Sequence, residues 1–227
     1  KYATKMHVNV MSNSWGGGGY SQALYDAIKD AADHGILFVA AAGNAGSDND
    51  KVATYPANYQ TDNMIAVAAT DNRDVKAPWS CYGKNSVHLA APGVDIYSTA
   101  PNNQYQLLSG TSMACPHVAG AAALLWSTDK TMSYATVKSR LLATVDPVRG
   151  LGRKTITGGR LNIYNALNNI VPPRVEPPET SWKALAKTIE SKHPYDDNTV
   201  QIFEISHPGA KHMRIRFSKV EIEAGYD

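Results

Sequence analysis

Two residues of this chain have the type and the setting for acyl-transfer chemistry. Ser112 lies in Gly110-Thr111-Ser112-Met113-Ala114-Cys115-Pro116-His117-Val118-Ala119-Gly120. Gly110 allows a tight turn, and Thr111 or Ser112 can cap a helix whose first turn tolerates Pro116. A hydroxyl at that place sits beside unpaired backbone N–H groups and the positive end of the helix dipole, where negative charge on an attacked atom is stabilised. Asn44 lies in Ala42-Gly43-Asn44-Ala45-Gly46, immediately after an apolar run. A side-chain amide at the carboxyl end of a strand can donate to a developing oxyanion. Both residues have a plainer reading: Ser112 as a helix cap, and Asn44 as a turn residue between glycines.

The elements that must position this pair can be read from periodicity. His7–Met11 is expected as a short strand, followed by Ser12-Asn13-Ser14-Trp15 and four consecutive glycines, Gly16–Gly19. That glycine run cannot be the interior of a helix or strand, and Gly16 and Gly17 let another backbone approach closely. From Ser21 to His34, apolar residues recur at three- and four-residue spacing up to Gly35, which predicts an amphipathic helix with a glycine C-cap. Ile36–Ala41 and Met64–Ala69 are continuous apolar runs, expected of strands buried on both faces. Helices alternating with such strands predict an α/β fold built on a mostly parallel sheet. Ala119–Leu125 continues the Ser112 helix with small residues suited to close packing. Ser133–Ala143 predicts another helix, with Val137, Leu141 and Leu142 inward.

Composition narrows the function classes. The chain has 227 residues, 43% of them hydrophobic and 19% charged, with 22 Lys and Arg against 20 Asp and Glu, giving a net charge of +2. This is a globular composition without the basic excess or cluster of a nucleic-acid surface, and no apolar run reaches membrane-span length. Two cysteines, Cys81 and Cys115, do not make a disulfide framework. A bridge between them, a packing role for each, and a thiol nucleophile at Cys115 are the alternatives. Opening at Lys1 inside a strand-like segment, the chain reads as an internal piece whose lack of a targeting segment carries no meaning.

The stretch Gly110–Gly120 resembles the nucleophile motif of the subtilisin-like serine proteases (subtilases), with Cys115 in its one variable slot. Ala114 stands where the elbow of α/β-hydrolases has its second glycine, so that motif is not matched. Ala42–Gly46, Tyr55-Pro56-Ala57, Trp79–Gly83, Ala90–Val94 and Ile96–Thr99 follow the family order, and Gly158–Leu167 resembles its closing helix. The resemblance spans about residues 5–170. It implies a three-layer subtilisin-like fold in a secreted or extracellular serine endopeptidase acting on proteins or peptides. It assigns Ser112 as nucleophile and Asn44, with the Ser112 N–H, as the oxyanion hole. It places Ser14, Trp15, Gly16 and Gly17 along the substrate backbone. Ala41, Ala42 and Gly43, with Ser14, Trp15 and Gly16 opposite, would line a neutral primary specificity pocket that favours apolar or aromatic residues by size. No cofactor is needed for such chemistry. Ser47–Asp50 reads as an acidic surface loop whose Asp48 and Asp50 are either ordinary turn residues or oxygen ligands of a structural calcium ion.

A serine nucleophile needs a general base, and the base needs an orienting carboxylate. The family supplies them in Asp-x-Gly and His-Gly-Thr-x-Val-Ala-Gly blocks, and this sequence contains neither. His117 belongs to the serine motif and lies about 140° around the helix from Ser112. His7, His34 and His88 read as strand-end or surface residues. The expectation is a partial catalytic domain over 1–170 that is inactive alone and is completed by the upstream half of the domain, with a propeptide as a further partner. A degenerate relative serving as an extracellular binding or adhesion protein is the competing class. Residues 171–182 form a proline-rich linker. Residues 183–227 read as the start of an antiparallel β module resembling CUB-like sandwiches, in which Glu223 and Asp227 would be calcium ligands.

Overall fold

The computed structural model describes residues 1–173. The linker beyond that point, the β module and the candidate ligands Glu223 and Asp227 lie outside the described residues.

Six strands make the main sheet. They are β1 (Val10–Asn13), β2 (Leu37–Ala41), β3 (Met64–Thr70), β4 (Leu89–Pro92), β7 (Asp146–Pro147) and β8 (Gly159–Arg160), in the order β1-β2-β3-β4-β8-β7. Every pair is parallel except β7 with β8. Every residue of β2 and β3 is buried, as their unbroken apolar runs predict. The two faces of β2 enter different cores. Leu37, Val39 and Ala41 pack with Ala114, Val118 and Leu125 of helix α3 (Thr111–Thr128), whereas Phe38 and Ala40 pack with Ile28 of helix α2 (Gln22–Asp33). The sheet is thus the middle of three layers.

Local chemistry explains most element ends. Ser21 caps α2 by accepting from the Leu24 N–H, and Gly35 closes it at φ +77°. Ser133 caps α4 (Tyr134–Ala143) through the Thr136 N–H, burying Val137 and Leu141. Asn162 caps α5 (Ile163–Asn168), and Asn169 ends it in the left-handed region at φ +54°. Arg160 joins the far side of the sheet by pairing with Asp74 at 2.8 Å and Asp146 at 2.9 Å.

One expectation needs correction, and the structure settles two further points. The first strand begins three residues late: a short helix α1 (Tyr2–Lys5) precedes it, and His7 sits at φ +54°, which a strand cannot use. Ile96–Thr99 belongs to a hairpin of β5 (Ile96–Ala100) and β6 (Gln104–Leu108), turned by Asn102 and Asn103 in the left-handed region. The hairpin is a separate two-stranded antiparallel sheet. Finally, Cys81 and Cys115 are both free and both buried, so there is no bridge. Among the described residues, no helix is long and apolar enough to cross a membrane.

Candidate active site

The site forms where two segments leaving the sheet at its carboxyl edge, Ser14 after β1 and Ala42–Asn44 after β2, meet the start of α3. Helix α3 lies across β1, β2, β3 and β4, so its first turn is fixed against the middle of the sheet. Gly93 makes this approach close. Its N–H donates to the Thr70 carbonyl, its own carbonyl accepts from the Gly110 N–H at 2.8 Å, and a β-carbon there would lie 2.7 Å from Ala69 Cβ.

The first turn of α3 departs from the sequence expectation. Gly110 is the N-cap, and neither Thr111 nor Ser112 caps the helix. Gly110 is extended, at φ 165°, so it serves by its small size and not by a left-handed turn. Thr111 is buried and reaches sideways: its backbone N–H and its Oγ1 both donate to Asn44 Oδ1 at 2.9 Å, and Oγ1 accepts from the Gly43 N–H at 3.2 Å. A backbone N–H can only donate, so the Asn44 atom facing it is the oxygen. The Asn44 Nδ2 is therefore left to point elsewhere, and it donates to no acceptor among the described residues. The Ser112 N–H, inside the first helical turn, has no backbone acceptor either. A β-carbon built on Gly110 would lie 3.5 Å from Ser112 N and 3.6 Å from Asn44 Nδ2, so both free donors flank one point.

Pro116 is the sixth residue of the helix, beyond the first turn, and its position matters. Lacking an N–H, it cannot bond the Ser112 carbonyl four residues back. Ser14 Oγ donates to that carbonyl instead, at 2.7 Å, and Ser112 Oγ in return donates to the Ser14 carbonyl at 3.3 Å. Two serines 98 residues apart in sequence thus brace the end of β1 against the start of α3. Ser112 Oγ has no imidazole partner among the described residues. His117 is exposed, and its Nδ1 bonds the Met113 carbonyl at 2.8 Å, as a structural histidine does.

The remaining candidates fall on both sides of this centre. Ser14, Trp15, Gly16 and Gly17 leave β1 together, with Trp15 half exposed and its Nε1 donating to Asn13 Oδ1. Gly17, at φ +108°, donates to the Tyr55 carbonyl, and a β-carbon on Gly16 would lie 3.1 Å from that same oxygen. Ala41 and Ala42 are buried, and Gly43 sits at φ +110° against Cys81 and Thr54. Cys115 Sγ donates to the Val39 carbonyl at 3.4 Å, and burial raises its pKa, which suits a packing residue and not a thiolate. Asp48 Oδ1 accepts from the Asp50 N–H, and the Asp50 carboxylate is taken by the Asn85 N–H, Asn85 Nδ2 and Ser86 Oγ. Among the described residues, no three His, Cys, Asp or Glu side chains are placed to hold a metal.

Sequence reasoning missed three residues here. Thr111 was read only as a cap. Asn49, expected on a surface loop, is 2% exposed. His88, read as a surface or strand-end residue, is largely buried, and its Nδ1 accepts from the Ala66 N–H at 3.0 Å. The nearest signal for each was an adjacent motif, but burial depends on partners distant in sequence.

Residues 1–171 match the Subtilase family, peptidase S8. The chain is 46% identical over 145 residues to subtilisin DY of Bacillus licheniformis, covering 63% of this chain and 52% of that protein. It is 43% identical over 166 residues to thermitase of Thermoactinomyces vulgaris, covering 73% and 56%. Among solved structures, the prenylagaramide maturation protease PagA superposes with a TM-score of 0.66 at 29% identity, over 75% of this chain and 65% of that one. The fold and these similarities define a subtilisin-like α/β fold. The chain belongs to the subtilase family, and it spans about half the length of the curated relatives it matches.

Proposed function

We propose that this chain is the nucleophile-bearing half of a subtilisin-like serine endopeptidase domain, with Ser112 as nucleophile and Asn44 as oxyanion donor. The observation that carries the reading is the pair of unpaired donors, Ser112 N–H and Asn44 Nδ2, beside the Ser112 hydroxyl. In this reaction Ser112 Oγ attacks the peptide carbonyl carbon while its proton passes to a histidine in the upstream half of the domain. The carbonyl oxygen becomes an oxyanion between the two donors. Collapse of the tetrahedral species breaks the C–N bond, and the histidine returns the proton to the leaving amine. Water then cleaves the acyl-serine by the same route, regenerating the hydroxyl.

Neutral walls at Ser14–Gly16 and Ala41–Gly43 support selection by size, with apolar and aromatic residues favoured before the scissile bond. Protein substrates, a propeptide partner and an extracellular location belong to the same reading. Calcium at Glu223 and Asp227 of a CUB-like module would be tested by calorimetry with and without Glu223→Ala.

Removing one oxyanion donor from a subtilisin costs about 10²–10³ in kcat, and Asn44→Leu in the full-length domain is expected to do the same with KM little changed. Unchanged kcat would remove Asn44 from the chemistry.

A further inference from the structure

Every backbone polar group of Ala42 and Gly43, in the wall assigned to the specificity pocket, is hydrogen-bonded. Ala42 N–H donates to the Val67 carbonyl, Gly43 N–H to Thr111 Oγ1, and the Gly43 carbonyl accepts from the Cys81 N–H. The fourth group, the Ala42 carbonyl, is held by Asn49 Nδ2 at 2.9 Å. Asn49 is a side chain buried between two segments. Its Oδ1 accepts from Thr54 Oγ1 at 3.3 Å, and its backbone carbonyl accepts from Asn58 Nδ2 at 2.8 Å. Asn58 Oδ1 in turn accepts from the Thr54 N–H at 2.9 Å. With its hydroxyl committed to Asn49, Thr54 turns its methyl toward the wall: Cγ2 would lie 3.2 Å from a β-carbon on Gly43.

One amide therefore ties together two segments packed against each other. Its nitrogen grips the strand-end wall, and its oxygen grips the residue packed against that wall. The loop carrying it is itself tied down, by the Asn49 N–H to the Tyr82 carbonyl at 2.6 Å and by Asp50 to Asn85 and Ser86. A buried carbonyl that loses its donor relaxes toward another partner, so removing the amide frees the wall to move.

We propose that Asn49 is a positioning residue for primary specificity. Through the Ala42 carbonyl and the Thr54 hydroxyl it sets the spacing between the Ala41–Gly43 wall and Thr54, and so the size of residue accepted before the scissile bond. The inference rests on the protease reading above and adds to it the residue that fixes pocket dimensions.

The test uses the full-length protease domain and two peptide substrates that differ only in Phe or Ala before the scissile bond. The ratio of their kcat/KM values is independent of the fraction of active enzyme, so a merely structural loss leaves it unmoved. Asn49→Ala and Asn49→Asp are each expected to shift that ratio toward unity by about tenfold, the scale on which apolar pockets discriminate. Thr54→Val keeps the methyl and the Asn49 bond to Ala42 but removes the hydroxyl, and should move the ratio the same way by a smaller factor. It reports on the same spacing where an Asn49 variant fails to fold. A ratio unchanged within about twofold in every folded variant, whatever happens to Tm, overturns the proposal. Failure of the underlying reading looks different: the unsubstituted domain shows no turnover, or Ser112→Ala cleaves both substrates, and the inference falls with it.

Discussion

At Ser112, a missing helix bond becomes the means of holding the nucleophile. Pro116 leaves the Ser112 carbonyl free, and the Ser14 hydroxyl takes it at 2.7 Å. Ser14→Ala should therefore lower kcat about tenfold or less, since a neutral hydrogen bond contributes about 0.5–1.5 kcal/mol net. Steady-state kinetics on the full-length domain check this, and an unchanged kcat would show that the helix start holds Ser112 without help. His88 gives a pH dependence. Burial first, and the charge of Lys138 second, lower its pKa from 6.5 to about 3. The neutral ring accepts the Ala66 N–H, so the unfolded chain takes up this proton before the folded one does. Stability is thus full above about pH 6.5 and falls as pH drops toward 3, by at most about 1.4 kcal/mol per pH unit from this group. Denaturant midpoints between pH 7 and 3 should show a shallower slope in His88→Asn, whose amide oxygen can accept the same N–H without titrating. Equal slopes would exclude His88 as the source. At this scale the sequence marked Ser112 and Asn44, whose segments the structure brings together at Gly110, because both sit in motifs dense with glycine and small residues. Asn49 stayed hidden because Asp-Asn-Asp is ordinary turn composition, and its burial is decided by Ala42 and Thr54.

Among the elements, the contact between the β4 exit and the α3 start sets where the nucleophile stands. A methyl at Gly93 would meet Ala69 Cβ at 2.7 Å and the Gly110 carbonyl at 2.8 Å, both on packed elements. Gly93→Ala is expected to destabilise by about 1–3 kcal/mol through overpacking and to push α3 outward. Its signature is a fall in both Tm and kcat, and a variant with wild-type values in both would show that α3 tolerates the shift. Strands β2 and β3 and helices α2 and α4 were legible in the sequence because their apolar residues are continuous or keep a helical period. Two-residue strands β7 and β8 leave no periodic trace. The β5–β6 hairpin was also missed: its strands are largely exposed, so no alternation of burial marks them.

For the whole molecule, the proposed reading is that the described residues hold a nucleophile and two oxyanion donors while the base belongs to the rest of the domain. The family match covers residues 1–171, and the chain spans about half the length of its curated relatives; the proposed reading assigns the activating half to the upstream part of the domain. The resemblance was strong in sequence because the nucleophile and oxyanion blocks are long and ordered. The way one half of the domain completes the other is not written in either motif. The most direct measurement is labelling by a fluorophosphonate probe, which reports an activated serine by forming a covalent bond to its Oγ. The full-length domain should label at Ser112 and lose the label in Ser112→Ala, while residues 1–227 alone should remain unlabelled. Labelling of the isolated chain at Ser112 would contradict the claim that its base lies elsewhere, and a full-length domain that never labels would contradict the assignment of Ser112 as nucleophile.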